Sequence, residues 1–192
     1  NPVRDKEIID IELQLKDLET VEKRLDKVKK TAKAGIKEAQ VEAALLERIQ
    51  QALLAAKSAR TVQPINQDEA DLIQSFQLIT SKPVLYVCNV DENSAKSGNA
   101  YVEQVKELVK EENAQVLVLA VATEADITEL ETFEERQLFL EDLGLDEPGV
   151  SKLIRSAYKL LNLQTYFTAG VKEVRAWTIQ VGDTAPKAAG VI

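Results

Sequence analysis

The chain has 192 residues, 45% of them apolar, and carries 24 Lys and Arg against 32 Asp and Glu, a net charge of −8. That apolar content supports a real core, and the length allows either one large domain or two or three small modules. With no histidine among these residues, imidazole acid–base catalysis, Ser–His or Cys–His nucleophile pairs and histidine metal ligands are excluded within them.

Cys88 is the one cysteine, so an internal disulfide is impossible. No 20-residue apolar run or signal-like N-terminus is present, so the expectation is a cytoplasmic protein with no membrane partner. Methionine is absent and the chain opens at Asn1-Pro2, which reads as an internal piece of a longer protein. The charge is uneven. Residues 1–60 hold 13 basic and 11 acidic side chains, whereas residues 61–192 hold 11 and 21. Lys23, Arg24, Lys27, Lys29, Lys30, Lys33 and Lys37 crowd together opposed only by Asp26, and such a run is where an anionic partner docks. The plain alternative is a solvated helix face.

In chain order, Leu18, Val21, Leu25 and Val28 recur at alternating spacings of three and four on a helix predicted over about 5–31, a coiled-coil seam. A second seam, Leu45, Ile49, Ala52, Ala56 and Ala59, answers it on a helix predicted over about 36–60, with Gly35 as the turn. The expectation is an antiparallel hairpin over about 8–60 that sets Leu25 against Leu45 and places the basic run towards its tip. Asn66 or Asp68 is expected to cap a third helix bearing Leu72, Phe76 and Ile79. The run Val84 to Cys88 then reads as a fully buried parallel strand. A helix over 101–112 and a second buried strand over 116–120 complete a βαβ unit. Thr132 and Glu135 have capping-box spacing for a helix ending at Gly144, and Val150, Ile154, Ala157 and Leu161 line one face of another. Tyr166-Phe167 and the alternating stretch 174–179 look like strands of a small mixed domain, followed by a helix start at 184–186.

Chemistry concentrates at one place. Ligands of open α/β sheets bind beyond the C-terminal ends of the strands, where the first strand runs into Asn89-Val90-Asp91-Glu92 and the second into Ala120-Val121-Ala122-Thr123-Glu124. Related GTPases carry Asn-Lys-x-Asp at the first position, with the Asp carboxylate accepting from guanine and the Asn bracing neighbouring loops. Here Val90 replaces the lysine that would cover the base, and Glu92 reaches one methylene further than Asp, so guanine selectivity is expected to weaken. Taken alone, the same four residues are also an ordinary turn that caps a helix. Cys88 reads as a strand residue rather than a nucleophile, and Trp177 and Tyr166 as packing residues rather than base-stacking platforms.

Resemblance extends along most of the chain. Asn1-Pro2-Val3-Arg4-Asp5, the stretch Asp17 to Arg24, and Asn89-x-x-Glu92 look like members of the YchF (Obg-like ATPase) family. Leu163 to Gly170, Lys172 to Thr178, Thr184-Ala185-Pro186 and Ala188-Ala189-Gly190 resemble the start of that family's TGS domain. The resemblance implies an α/β fold: the C-terminal part of a P-loop, Ras-like nucleotide-binding sheet with an inserted antiparallel α-helical coiled-coil hairpin, followed by the start of a ubiquitin-like β-grasp domain. The implied divisions are 1–80, 81–162 and 163–192.

The same resemblance implies hydrolysis of ATP, and of GTP, with Asn89, Val90, Glu92, Ala120, Val121 and Ala122 around the base. The basic run at the hairpin tip adds the expectation that Lys29, Lys30, Lys33 and Lys37 touch ribosome or RNA, with the TGS domain as a second contact. Magnesium is expected in the complete protein. No Gly-x-x-x-x-Gly-Lys-Ser/Thr occurs among these residues, so the phosphate cradle and its metal ligands lie outside them and the chain by itself is expected to be inactive. The contrasting function class is a non-catalytic helical adaptor or RNA-binding module.

Overall fold

The computed structural model describes residues 1–112 and 114–192. They form two compact units, 1–83 and 84–192.

The first unit is helical. Helix α1 runs from Pro2 to Lys33, with the Asn1 side chain accepting the Val3 N–H at its start and proline in its first turn, the positions where proline and a short polar cap are tolerated best. Its end is set by Gly35, at φ +84°, a left-handed conformation that costs glycine nothing. Helix α2, Lys37–Leu54, returns along α1. Gln14 donates to the Ala56 carbonyl, Gln50 to Glu22 and Arg24 to Glu42, so partner numbers fall as α1 numbers rise.

Leu25 and Leu45 belong to one buried cluster with Val21, Ala43, Leu46, Ile49, Leu53, Ala59, Phe76 and Leu78. Each fully buried leucine or isoleucine in it contributes on the order of 1.5–3 kcal/mol.

The second helix stops six residues before the expected Arg60. Lys57 N–H bonds the Ala52 carbonyl and Ala56 N–H the Leu53 carbonyl, with Ala56 at φ +54°. This is a Schellman ending, here without the customary glycine. The core stripe of α2 therefore includes Leu46 and Leu53, while Ala56 of the expected seam is exposed.

A short 3₁₀ turn, Ala59–Thr61, follows, and then α3, Gln67–Phe76, capped by Asn66 accepting the Glu69 N–H at 2.9 Å. Arg48 donates to both Glu69 carboxylate oxygens, at 3.0 and 2.8 Å, and Glu69 also accepts the Ile65 N–H. These bonds hold the Glu69 carboxyl below its ordinary pKa, the Ile65 N–H contributing most. The end of the unit is held by Asp17. This buried carboxylate accepts the Ile79 N–H at 2.8 Å, and the Thr80 N–H and hydroxyl at 2.7 Å each, while Thr80 Oγ1 accepts the Ala59 N–H.

In the second unit, strand β1, Leu85–Asn89, pairs in parallel with β2, Gln115–Leu119, with Asn89 opposite Leu119. Helix α4, Ala100–Leu108, capped by Asn99, lies between them in sequence. The apolar runs do not make fully buried strands: the sheet has two strands, β1 is half-buried and Val87 points to solvent.

Helix α5, Val121–Glu129, begins directly after β2. Helix α6, Phe133–Asp142, has both reciprocal capping-box bonds between Thr132 and Glu135. Helix α7, Gly149–Leu160, leaves Val150, Ile154 and Leu161 of its expected apolar face half exposed. Strands β3, Leu163–Ala169, and β4, Val174–Gln180, pair antiparallel, and α8, Ala185–Ala189, follows. Tyr166 lies opposite Trp177. The Tyr166 hydroxyl donates to the Ala188 carbonyl, and Trp177 Nε1–H donates to Thr168 Oγ1.

Candidate functional site

The parallel pairing of β1 and β2 brings their C-terminal ends side by side and so joins the two loops singled out in the sequence. Val90 N–H extends the ladder to the Leu119 carbonyl at 2.8 Å. Asn89 Oδ1 crosses to the second loop and accepts the Val121 N–H at 3.1 Å. Val121 is the first residue of α5, and the N-cap Ala120 offers no side-chain bond, so Asn89 supplies the cap from another element. Ala122, second in the helix, has no intrahelical acceptor for its N–H.

Asp91 turns back and accepts the Ser94 N–H at 3.0 Å, capping a 3₁₀ turn over Glu92–Ser94. Glu92 is exposed, its carboxylate at the rim. Within Asn89-Val90-Asp91-Glu92, then, Asn89 and Asp91 brace the loops, Val90 continues the ladder and Glu92 is the charge presented.

The roles of two participants were not anticipated. Glu124, one turn into α5, accepts the Gly149 N–H at 2.7 Å and the Val150 N–H at 3.2 Å. These are the first amides of α7, whose N-cap is Pro148 with no side-chain bond. A Cβ on Gly149 would overlap Leu119 Cδ2 and lie 2.7 Å from Glu124 Oε1, so a larger residue there would have to displace one of these side chains. The signal in the sequence was a helix opening at Pro148-Gly149 with no Ser, Thr, Asp or Asn to cap it.

Elsewhere in this unit, a cleft of about 740 Å³ lined by Gln115, Arg155, Tyr158, Lys159 and Thr165 lies at the N-terminal end of β2. That is the opposite end from the loops, and its Arg155 is tied to Glu147. Burial pushes the Cys88 thiol above its ordinary pKa, which suits a resting thiol rather than a nucleophile. Among the described residues no three carboxylate or thiol side chains gather to hold a metal ion.

In the helical unit, Lys29, Lys30 and Lys33 occupy the last turns of α1 and Lys37 opens α2 around Gly35. All four are exposed, and Lys29 pairs with Glu47 at 2.9 Å. The helix dipole favours Lys30 and Lys33 at a C-terminus but not Lys37 at an N-terminus. Ile36, at the α2 N-cap, makes no side-chain cap bond. Lower on α1, bonds from Lys23 and Lys16 lower the Glu19 carboxyl to a pKa of about 2.

The chain has the α/β fold of a GTPase: a solved structure of the Schizosaccharomyces pombe YchF GTPase superposes with a TM-score of 0.87 at 34% identity, covering 100% of this chain and 52% of that one. The chain is 48% identical over 192 residues to the ribosome-binding ATPase YchF of Escherichia coli O157:H7 and 47% identical to that of Haemophilus ducreyi, in each case over 100% of this chain and 52% of the relative. A family model described as YchF-GTPase_C, protein of unknown function (DUF933), matches residues 163–192. The chain belongs to the YchF, or Obg-like ATPase, family. It spans about half the length of the curated relatives it matches.

Proposed function

We propose that this chain is the base-recognising portion of a cytoplasmic nucleotide hydrolase that turns over ATP and also GTP, and that it couples nucleotide state to the ribosome. The observation that carries this reading is the Asn89–Val121 bond, which knits the loops after two parallel strands into one rim at the sheet end where such folds bind ligands. Asn89 is the bracing residue. The exposed Glu92 is one methylene longer than Asp, which displaces its carboxylate from the paired bonds that an Asp makes with guanine N1–H and N2–H₂. Adenine needs no carboxylate: it offers an acceptor at N1, to which Ala122 N–H can donate, and a donor at N6, which a loop carbonyl can accept.

Phosphate and magnesium binding belong, on this reading, to residues of the full-length protein outside these 192. Residues 81–162 are then the C-terminal part of a G domain and residues from 163 onward the start of a TGS domain, with a coiled-coil hairpin inserted within 1–80. Lys30, Lys33 and Lys37, joined by Lys29 when its pair with Glu47 opens, form the contact to ribosomal RNA.

In the full-length protein, Asn89→Ala should weaken ATP binding about tenfold or more by calorimetry, because the Val121 N–H and the whole rim lose their brace. Unchanged ATP affinity in that variant would contradict the assignment.

A further inference from the structure

We infer that Glu124 is a positioning residue that fixes the base-contacting loop to helix α7 and carries nucleotide occupancy from that loop to the β3–β4 hairpin; the inference rests on the base-rim reading above. The loop Ala120–Ala122 is held from one side by Asn89. From the other it is held by Glu124, whose backbone N–H closes the first turn of α5 on the Ala120 carbonyl while its carboxylate grips the Gly149 and Val150 amides.

Any shift of that first turn on base binding must therefore move the carboxylate or drag α7 with it. Gly149 is buried, and Leu119 and the Glu124 carboxylate pack directly against its Cα. Helix α7 leads within three residues into β3. Its Tyr158 hydroxyl lies 3.3 Å from Thr178 Oγ1 on β4 and accepts from Thr165 on β3 at 3.5 Å. A continuous chain of bonded groups thus runs from the rim to both strands of the hairpin, and Glu124 is the ionisable group that bonds the first amides of α7.

Glu124→Gln keeps a carbonyl oxygen for the Gly149 amide, whereas Glu124→Ala removes both acceptors. Hydrogen exchange of the full-length protein, with and without ATP, reads the link directly in wild type and both variants. Wild type should show ATP-dependent slowing of at least fivefold at 120–124, at 149–153 and in 163–169. In Glu124→Ala the slowing should persist at 120–124 and vanish at 149–153 and 163–169, and Glu124→Gln should restore part of it. Equal slowing at 149–153 in wild type and Glu124→Ala, or none there in wild type while 120–124 responds, overturns the coupling. If neither 89–92 nor 120–124 responds to ATP in wild type, the base-rim reading itself fails and the coupling falls with it.

Discussion

Asp17→Ala should cost more than any other change of a polar side chain in the helical unit. The carboxylate accepts three bonds at 2.7–2.8 Å, two from main-chain amides and one from a hydroxyl. Thr80 is only 4% exposed, so its amide has no route to water once Asp17 is gone. A bond to a charged group contributes about 1.5–3 kcal/mol and an orphaned buried donor costs about 1–3. Ile79 is more exposed and its amide can be resolvated, and the carboxylate regains hydration on unfolding, so the net loss should be about 3 kcal/mol. Asp17→Asn keeps one acceptor oxygen and should lose roughly half as much.

Urea denaturation followed by circular dichroism gives the free energies, and amide exchange at Ile79 and Thr80 locates them. Thr80→Val removes the acceptor for the Ala59 amide and should be strongly non-additive with Asp17→Ala, because both belong to one network. A loss below about 1 kcal/mol for Asp17→Ala, or additive behaviour of the pair, would refute this account of the hairpin base.

Other outcomes are equally specific. Leu45→Ala, at a fully buried site, should lose about 2–5 kcal/mol in the same denaturation assay, and Leu25→Asp should lose at least as much by placing an unpaired carboxylate in the cluster. Gly149→Ala should destabilise the second unit by about 1–3 kcal/mol through overpacking against Leu119, measurable by thermal unfolding. Glu19, whose pKa is lowered from 4.5 to about 2 chiefly by the bond from Lys23 and then that from Lys16, contributes stability that is present above pH 4.5 and lost as pH falls towards 2. An NMR titration should show the low midpoint, and Lys23→Ala or 1 M salt should raise it. Replacing Lys30, Lys33 and Lys37 by alanine should reduce the salt slope of ribosome co-sedimentation by about 2–3.

Local signals were the legible ones. The Thr132–Glu135 capping box, the Asn66 cap and the Gly35 turn each act through bonds within four residues, so spacing alone reveals them. Pairing of the hairpin followed from periodicity, because the seam residues must meet across a short turn. The end of α2 was not legible: alanine spacing runs on to Ala59, and nothing in Ala55-Ala56-Lys57 announces a left-handed Ala56.

Helix α5 carries no local start signal, because its first turn lacks a capping side chain. Its cap, Asn89, comes from 32 residues away. For the same reason the loop containing Asn89 was found but its use of the Val121 amide was not, and Asp17 and Glu124 were named within their stretches without the bonds they make. Their partners lie on distant segments and leave no mark on local patterning.

The base-rim assignment is tested most directly by competition between ATP and GTP on the full-length protein, wild type against the double variant Glu92→Asp with Val90→Lys. Shortening the carboxylate and restoring the lysine stem should return the paired bonds to guanine, worth about 1–3 kcal/mol. The ratio of GTP to ATP affinity should therefore rise by roughly five- to 150-fold. Equal ratios in the two proteins, or a wild type that strongly excludes ATP, would contradict the placement of the base at Asn89 and Glu92.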